Sequence, residues 1–557
     1  MRVTNRVKIS GILSMFVLAT ILGAFLVSGL LTRGQAIHAA TVSTYTATKG
    51  LLAPAAVVDP RALASDPTSA VSTLPKGARL LHTVHGSAGA GASAGIVPVP
   101  VSTSTPGLLE NFNGVSSRDS AKTNFGAEFE PPDQGLCVGN GFVVEPVNSA
   151  YTIYRTDGSV VAGPFNVNKL FDEGFKQFTS DPRCFFDSTT NTWFATILFI
   201  SGGGSGTMSH EDIAVNPSGD PTKPWTVYRI DTTDKGGPGC PCFGDQPLLG
   251  IDQVNLYIVA NEFSILGPQF NGAQIYALSK SDLVSLASSV HFVHFGNLRI
   301  GGTIASTVQP AISFGSPPAE YFMNSLDPNG TFDDRLGVWA MTNRDAVGKG
   351  GIPTLSSIVI GSEIYGFPVG AQQKGAKSLL NPDDDSLQQV QYINGNLWGE
   401  LDTGVTIPGD TAERDGAAWF EVQPHLSSDG KTIAGAHIDN QGYVAVKGSY
   451  LLYPALQASS DGTAAIVMTL SGANYFPSAV YTRMGLDQAS FGAVHIAASG
   501  TGPYSPTSTR WGDYSWAILS PDGASFWMAT EYIPPKSSQT RDGKQNWGTR
   551  VIQVSAA

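Results

Sequence analysis

Charge is scarce in this chain: Asp, Glu, Lys and Arg make up only 14% of its 557 residues. After Arg2, Arg6 and Lys8 there is no Lys/Arg cluster, and the formal net charge is -12. That balance excludes a phosphate-binding face and so a nucleic-acid partner. Cysteine is sparse too, at four. None of the four lies in the first 40 residues, so a lipid-modified cysteine cannot anchor the chain. Neither a zinc-protease helix motif nor a phosphate loop is present. What the chain does have is 63 Gly and 35 Pro, a composition that argues against long helices and suits many strands joined by tight turns.

The N-terminal basic residues precede an apolar run over residues 11–32 and the small-residue stretch Ile37-His38-Ala39-Ala40. This is the layout of a secretory signal cut near Ala39 or Ala40. The run is also long enough to span a bilayer as an uncleaved anchor. Both alternatives place the rest of the chain outside the cytoplasm, with membrane contact only through residues 1–40. An even number of cysteines in an exported chain implies disulfides, and Cys137, Cys184, Cys240 and Cys242 allow three pairings. Cys240-Pro241-Cys242 has no second ligand pair at zinc spacing. Residues 41–107, rich in Ala, Ser, Thr, Val, Gly and Pro, have no sustained periodicity and are expected to be a linker. Within them Gly91-Ala92-Ser93-Ala94-Gly95 matches a nucleophile motif by letter but lacks its strand-turn-helix context.

From residue 108 onward a hairpin pattern recurs. The clearest copy is Arg510-Trp511-Gly512-Asp513-Tyr514-Ser515-Trp516, continuing through Ser520-Pro521-Asp522-Gly523 to Phe526-Trp527 and Glu531-Tyr532. Six weaker copies begin near Asp133, Asp181, Asp245, Gln309, Val390 and Tyr453. Asn-Gly and Asp-Gly pairs supply the positive φ angles of two-residue turns. Copies spaced roughly 50 to 80 residues apart leave room for four-stranded sheets. Residues 108–557 are therefore expected to form an all-β propeller, most simply of seven blades within a range of six to eight. Ser427-Ser428-Asp429-Gly430 is either an outer hairpin of the fifth blade or the start of an eighth. Residues 108–115 beside Arg550-Val551-Ile552-Gln553-Val554 are candidates to close the ring.

Pro131-Pro132-Asp133, Asp181-Pro182-Arg183, Gly244-Asp245-Gln246-Pro247 and the Arg510 stretch resemble a broad group of exported bacterial β-propeller proteins of unassigned function. Sialidases are a more distant likeness in architecture. Ser520-Pro521-Asp522-Gly523 with Trp527 only partly echoes their Ser-x-Asp-x-Gly-x-Thr-Trp turn. The resemblance implies a fold and assigns no catalytic residue.

In a propeller the residue that opens the first strand of a blade faces one mouth of the central channel. Aligned hairpins put Asp133, Asp245 and Asp513 at equivalent places, with Asp181 within one residue. Converging carboxylates raise one another's pKa or recruit a cation, so Asp133, Asp245 and Asp513 are candidate Ca²⁺ ligands beside the alternative of backbone-bonding structural acids. Arg183 and Arg510 adjoin them, with Tyr514 following. Asp133, Asp181, Asp245, Asp513, Arg183, Arg510 and Tyr514 are thus the candidate site, either binding an acidic sugar or serving as inter-blade ion pairs. His291 and His294, three apart in a strand, point to opposite faces and cannot share an ion. Asp327-Pro328-Asn329-Gly330 only partly resembles a calcium loop, and Asp383-Asp384-Asp385 reads as a solvated loop. The expectation is a monomeric extracellular binding or scaffold propeller whose partner is a glycan, a protein or a small ligand. The alternative is a sialidase-like glycoside hydrolase using the same residues.

Overall fold

Tight turns and apolar runs dictate the architecture. Asn140-Gly141 and Asn394-Gly395 both adopt positive φ at both residues, the geometry that lets two right-twisted strands reverse in two residues. In Ser427, Ser459 and Ser520 turns the serine hydroxyl donates to the Asp two residues on (Asp429, Asp461, Asp522), and Gly430, Gly462 and Gly523 take φ of 68°, 87° and 71°. Between the turns, strands such as Thr192–Ser201 are buried on both faces, so each sheet must be covered by neighbours on either side.

A computed structural model describes residues 41–61, 96–124, 126, 129–175, 177–202, 206–326, 328, 330–504, 510–536 and 546–556. The expected signal or anchor, the Gly91 to Gly95 letter match, and Asp327 and Asn329 lie outside them. Among the described residues no helix is long and apolar enough to cross a membrane. The described strands form seven blades. Their innermost strands are Cys137–Gly139, Phe178–Asp187, Cys242–Ile251, Gln309–Pro310 with Ile312–Ser313, Leu387–Ile393, Ser449–Ala458 and Trp516–Leu519. Each leads outward through antiparallel neighbours. Ile312 of blade 4 bridges in parallel to Ile251 of blade 3 and Gln391 of blade 5, which marks the channel wall where inner strands run side by side. The Ser427 turn joins Arg414–Leu426 to Ile433–Val444, so it is an outer hairpin of blade 5.

Hydrophobic clusters span consecutive blades. Val144, Phe186 and Trp193 pack blade 1 on blade 2, Tyr257, Phe322 and Trp339 pack blade 3 on blade 4, and Ala455, Phe526 and Ile552 pack blade 6 on blade 7. Cys137 and Cys184 join blades 1 and 2 by a disulfide, and the second bridge is Cys240–Cys242. Disulfides fit a protein that works in an oxidising compartment. The ring closes in blade 7, where Leu108–Ser116 adds to Gly548–Ser555 with Arg550 opposite Asn113.

The stretch expected to be a linker behaves differently where it is described. Ser43–Thr44, Thr48–Leu52 and Pro54–Val58 are outermost strands of blades 4, 3 and 2, and Val101–Ser102 pairs with blade 6. Val99 N-H bonds to Ala445 of blade 5 at 2.9 Å. The pairing is made by backbone groups, and side chains such as Leu51 (59% exposed) and Val57 (71%) stay in solvent. Edge coverage of that kind needs no apolar period, so the sequence carries no sign of it.

Candidate functional site at the channel mouth

One residue per blade, just before the innermost strand or in a bulge within it, takes the left-handed region: Asp133 (φ 47°), Asp181 (57°), Gln246 (54°), Thr307 (46°), Asp383 (61°), Tyr453 (50°) and Asp513 (72°). A non-glycine residue there costs roughly 1 to 2 kcal/mol. In blades 2, 3 and 6 it sits in a bulge, where the ladder skips from Ser180 to Arg183, from Asp245 to Leu248 and from Leu452 to Ala455. Each bulge holds a proline (Pro182, Pro247, Pro454), which lacks the N-H that a regular ladder would need. The alignment expected from sequence shifts accordingly: Asp133, Asp181 and Asp513 are equivalent, while Asp245 lies one residue before its blade's left-handed residue, Gln246.

Asp133, Asp181 and Asp513 are brought together and are 2%, 3% and 5% exposed. Burial, reinforced by the Asp513 and Asp181 charges and only partly offset by Arg510, pushes the Asp133 carboxyl well above the usual range. Asn148 ties blade 1 to blade 2. It donates to Asp133 Oδ2 at 2.5 Å and to Pro131 O at 3.0 Å, and its Oδ1 accepts from Asp181 N-H at 2.9 Å. Arg510 is ion-paired with Asp513. Burial works against its charge, but Asp513, Asp133 and Asp383 outweigh that and raise its pKa. Arg183 is buried, with its guanidinium 3.6 Å above the Tyr514 ring and 5.3 Å from that of Trp516. Arg183 thus packs on the rings of Tyr514 and Trp516, and Arg510 pairs with Asp513 while its side chain stays partly exposed. Gly512 (φ 80°) makes the approach feasible, since a Cβ there would lie 2.1 Å from the Tyr453 ring.

Asp245 belongs to a different group. It lines a cavity of about 290 Å³ with Gln246, Asn261, Phe263, Phe270, Thr307, Asp383 and Asp384, formed by blades 3 to 5. Asn261 fixes the wall: it donates to Thr307 Oγ1 at 2.9 Å and to Gln246 Oε1 at 3.2 Å, and accepts from Thr307 N-H at 2.8 Å. Phe263 and Phe270 stack at 4.7 Å and are partly exposed. Glu211, fully buried, feels Asp212, Asp181 and Asp245 in addition to its burial, and its pKa is raised well above normal. The mouth is a negative field with an aromatic side. Asp383 and Asp384, expected in a solvated loop, are part of it, and Asp385 is fully buried. The signal that could have found Asp383 is its place four residues before the strand Leu387–Ile393, like Asp133 four before Cys137–Gly139. Asn261, Phe263 and Phe270 come from second and third strands and had no local signature.

Asp133, Asp245 and Asp513 do not converge as a set of calcium ligands. Among the described residues the groups whose ligand atoms lie within 4.8 Å of one another are Cys240, Cys242 and Glu262, and Glu173, His210 and Asp212. The first pair of sulfurs is a disulfide. The second set is neutralised by Arg229, 2.6 Å from Glu173 and 3.2 Å from Asp212. His291 and His294 bond separately to Asp282 and Gln274, each at 2.8 Å, as their strand spacing requires.

No protein-family model and no curated protein matches the chain. Solved structures similar to it include the Hadza microbial sialidase Hz136, at 9% identity and a TM-score of 0.36 over 74% of this chain and 73% of that one. Drosophila semaphorin 1b, extracellular domains 1-2, gives 8%, 0.33, 82% and 88%. The α-L-arabinofuranosidase Arb93A from Fusarium graminearum gives 9%, 0.31, 80% and 98%. Likeness of this size concerns the course of the chain and leaves the chemistry to the residues at the mouth.

Proposed function

We propose that the protein is an extracellular carbohydrate-binding propeller that takes one neutral or amine-bearing sugar unit in the cavity between blades 3 and 5. The observation that carries this reading is the wall itself. Asp245, Asp383 and Asp384 offer acceptors for sugar hydroxyls or an ammonium group, Asn261 and Gln246 are held by their own network, and Phe263 and Phe270 offer an apolar face for ring C-H groups. At about 290 Å³ the space is at the small end for a ligand cavity, which suits a single sugar unit. Acidic sugars are repelled by the same carboxylates.

The test is a glycan array followed by titration calorimetry. Neutral or amino glycans bind, acidic ones do not, and Phe263→Ala and Asp384→Asn each weaken binding at least about tenfold, or 1.4 kcal/mol. Binding that both variants leave intact, or that is confined to acidic glycans, would sink the proposal. Hydrolysis is the second reading, favoured by one observation: burial raises the Asp133 carboxyl, which suits a general acid, and a second carboxyl, that of Asp181, stands beside it. That pair belongs to blades 1 and 2, whereas the cavity is walled by blades 3 to 5. Turnover of a chromogenic glycoside panel, abolished by Asp181→Asn, would favour hydrolysis instead.

A further inference from the structure

The two disulfides differ in what they can contribute. Cys137–Cys184 spans 47 residues, is 0% and 1% exposed, and joins two blades. Cys240–Cys242 spans two residues, so it closes almost no loop and restrains the unfolded chain very little. Cys242 is fully buried while Cys240 is partly exposed, beneath the exposed residues Gly236, Pro238 and Gly239. An external sulfur can therefore reach Cys240 and cannot reach Cys242.

The surroundings of the bridge are polar. Glu262 Oε1 lies 4.0 Å from Cys240 Sγ, and a carboxylate oxygen of Glu262 lies within 4.8 Å of Cys242 Sγ. The Asn271 side-chain amide donates to Glu262 Oε1 at 2.7 Å, and its nitrogen is 3.7 Å from Cys242 Sγ and 3.8 Å from Cys240 Sγ. A buried carboxyl and an amide donor are thus held against a bridge that does little for stability. We propose that Cys240–Cys242 is an exchange-active disulfide that oxidises low-molecular-weight thiols, with Cys240 as the attacked sulfur, Cys242 as the leaving group, Glu262 as the group that protonates it and Asn271 as the residue that positions Glu262.

In the first step a thiolate attacks Cys240 Sγ. A bond forms between the two sulfurs, the Cys240–Cys242 bond breaks, and the electron pair moves to Cys242 Sγ. The Asn271 amide, which donates to Glu262 Oε1 at 2.7 Å and to Pro238 O at 3.0 Å, holds the Glu262 carboxyl beside the bridge, and that carboxyl gives the thiolate a proton. A second thiolate then attacks the external sulfur of the mixed disulfide and releases Cys240 as a thiolate, which takes its proton from solvent at the partly exposed site. Two thiols are oxidised to one external disulfide, and the bridge is reduced to two thiols by two electrons. Burial, opposed by the Asn271 hydrogen bond and aided by the Asp234 charge, holds Glu262 at about 7, so it can donate a proton at neutral pH.

The experiment treats the folded protein with reduced glutathione, quenches with an alkylating agent and reads each cysteine peptide by mass spectrometry. Cys240–Cys242 should open at least about tenfold faster than Cys137–Cys184, and Glu262→Gln should slow that opening severalfold without slowing Cys137–Cys184. With oxidised glutathione as the probe, the Cys240 thiol of Cys242→Ser should take one glutathione by exchange and release the other as the thiol, whereas Cys240→Ser should take up little on the buried Cys242. Equal opening rates for the two bridges in the unmodified chain, a measurement that needs no variant, would overturn the proposal. Equal trapping by the two serine variants would do the same.

Discussion

Thr549 of the last strand donates its hydroxyl to Glu145 of the first blade at 2.5 Å, and the same carboxyl accepts the backbone N-H of Val115 at 2.8 Å. Val115 and Thr549 lie on the two strands, one from each end of the propeller sequence, that close the ring. One buried side chain therefore ties the seam to blade 1. Glu145→Ala leaves the Val115 N-H buried without an acceptor, at roughly 1 to 3 kcal/mol, while the Thr549 hydroxyl keeps Val115 O as an acceptor at 3.1 Å. The expected outcome is a lower urea midpoint, with hydrogen exchange in Leu108–Ser116 rising ahead of that in blades 2 to 5. Exchange that rises uniformly in all blades would contradict a role at the seam.

The same carboxyl gives stability a pH dependence of definite sign. Burial outweighs the hydrogen bonds from Thr549 and Val115 and lifts Glu145 from 4.5 to about 7. A carboxyl whose folded pKa is raised holds its proton in the folded state while the unfolded chain has lost it. Stability therefore falls as pH rises from about 4.5 to about 7 and levels off above that. The shift corresponds to roughly 3 kcal/mol at most. Glu262, also lifted to about 7 chiefly by burial, acts in the same direction. Melting curves between pH 5 and pH 8 should show the decline, and Glu145→Gln should flatten it and be the more stable form at pH 8.

Gly512 is constrained twice, by a φ of 80° and by the Tyr453 ring 2.1 Å from where a Cβ would stand. Tyr453 is itself buried and donates to Asn381 O at 2.9 Å, so its ring cannot retreat without breaking that bond. Gly512→Ala is expected to destabilise by more than about 2 kcal/mol, combining backbone strain and overpacking. The control is Gly523→Ala, at φ 71° with open space around the Cβ, which carries the backbone cost alone. Equal losses in thermal denaturation would show that the Tyr453 contact is irrelevant.

Much of the fold was legible because turns are local. Asn140-Gly141, Asn394-Gly395 and the Ser-x-Asp-Gly sequences demand positive φ within two to four residues, and they mark blades 1, 5, 6 and 7. The closing strand was legible because Leu108–Ser116 and Gly548–Ser555 each read as a strand. The site was harder. Asp245 was misaligned because Asp245-Gln246 repeats the letters of Asp133-Gln134, whereas the bulge is set by the residue before Pro247, as at Asp181-Pro182 and Tyr453-Pro454. Asn261, Phe263 and Phe270 meet Asp383 and Asp384 only once blades 3 and 5 are built, and no spacing along the chain encodes that meeting.

Arg510 offers a last test of whether the blade 7 mouth cluster is structural. It sits among Asp513, Asp133 and Asp383, all of which raise its pKa against the cost of burial, and its backbone bridges to Asn381 beside blade 5. Removing one partner of a buried pair leaves the other charge uncompensated, at roughly 3 to 5 kcal/mol. Arg510→Met should therefore lower the melting temperature strongly at pH 7. The loss should shrink toward acid pH, because burial and the Asp513 and Asp181 charges favour the protonated form of Asp133, which needs no counter-charge. Glycan binding at the cavity of blades 3 to 5 should survive in the folded fraction. A variant that is as stable as the parent but no longer binds would move Arg510 from the wall of the channel to the ligand.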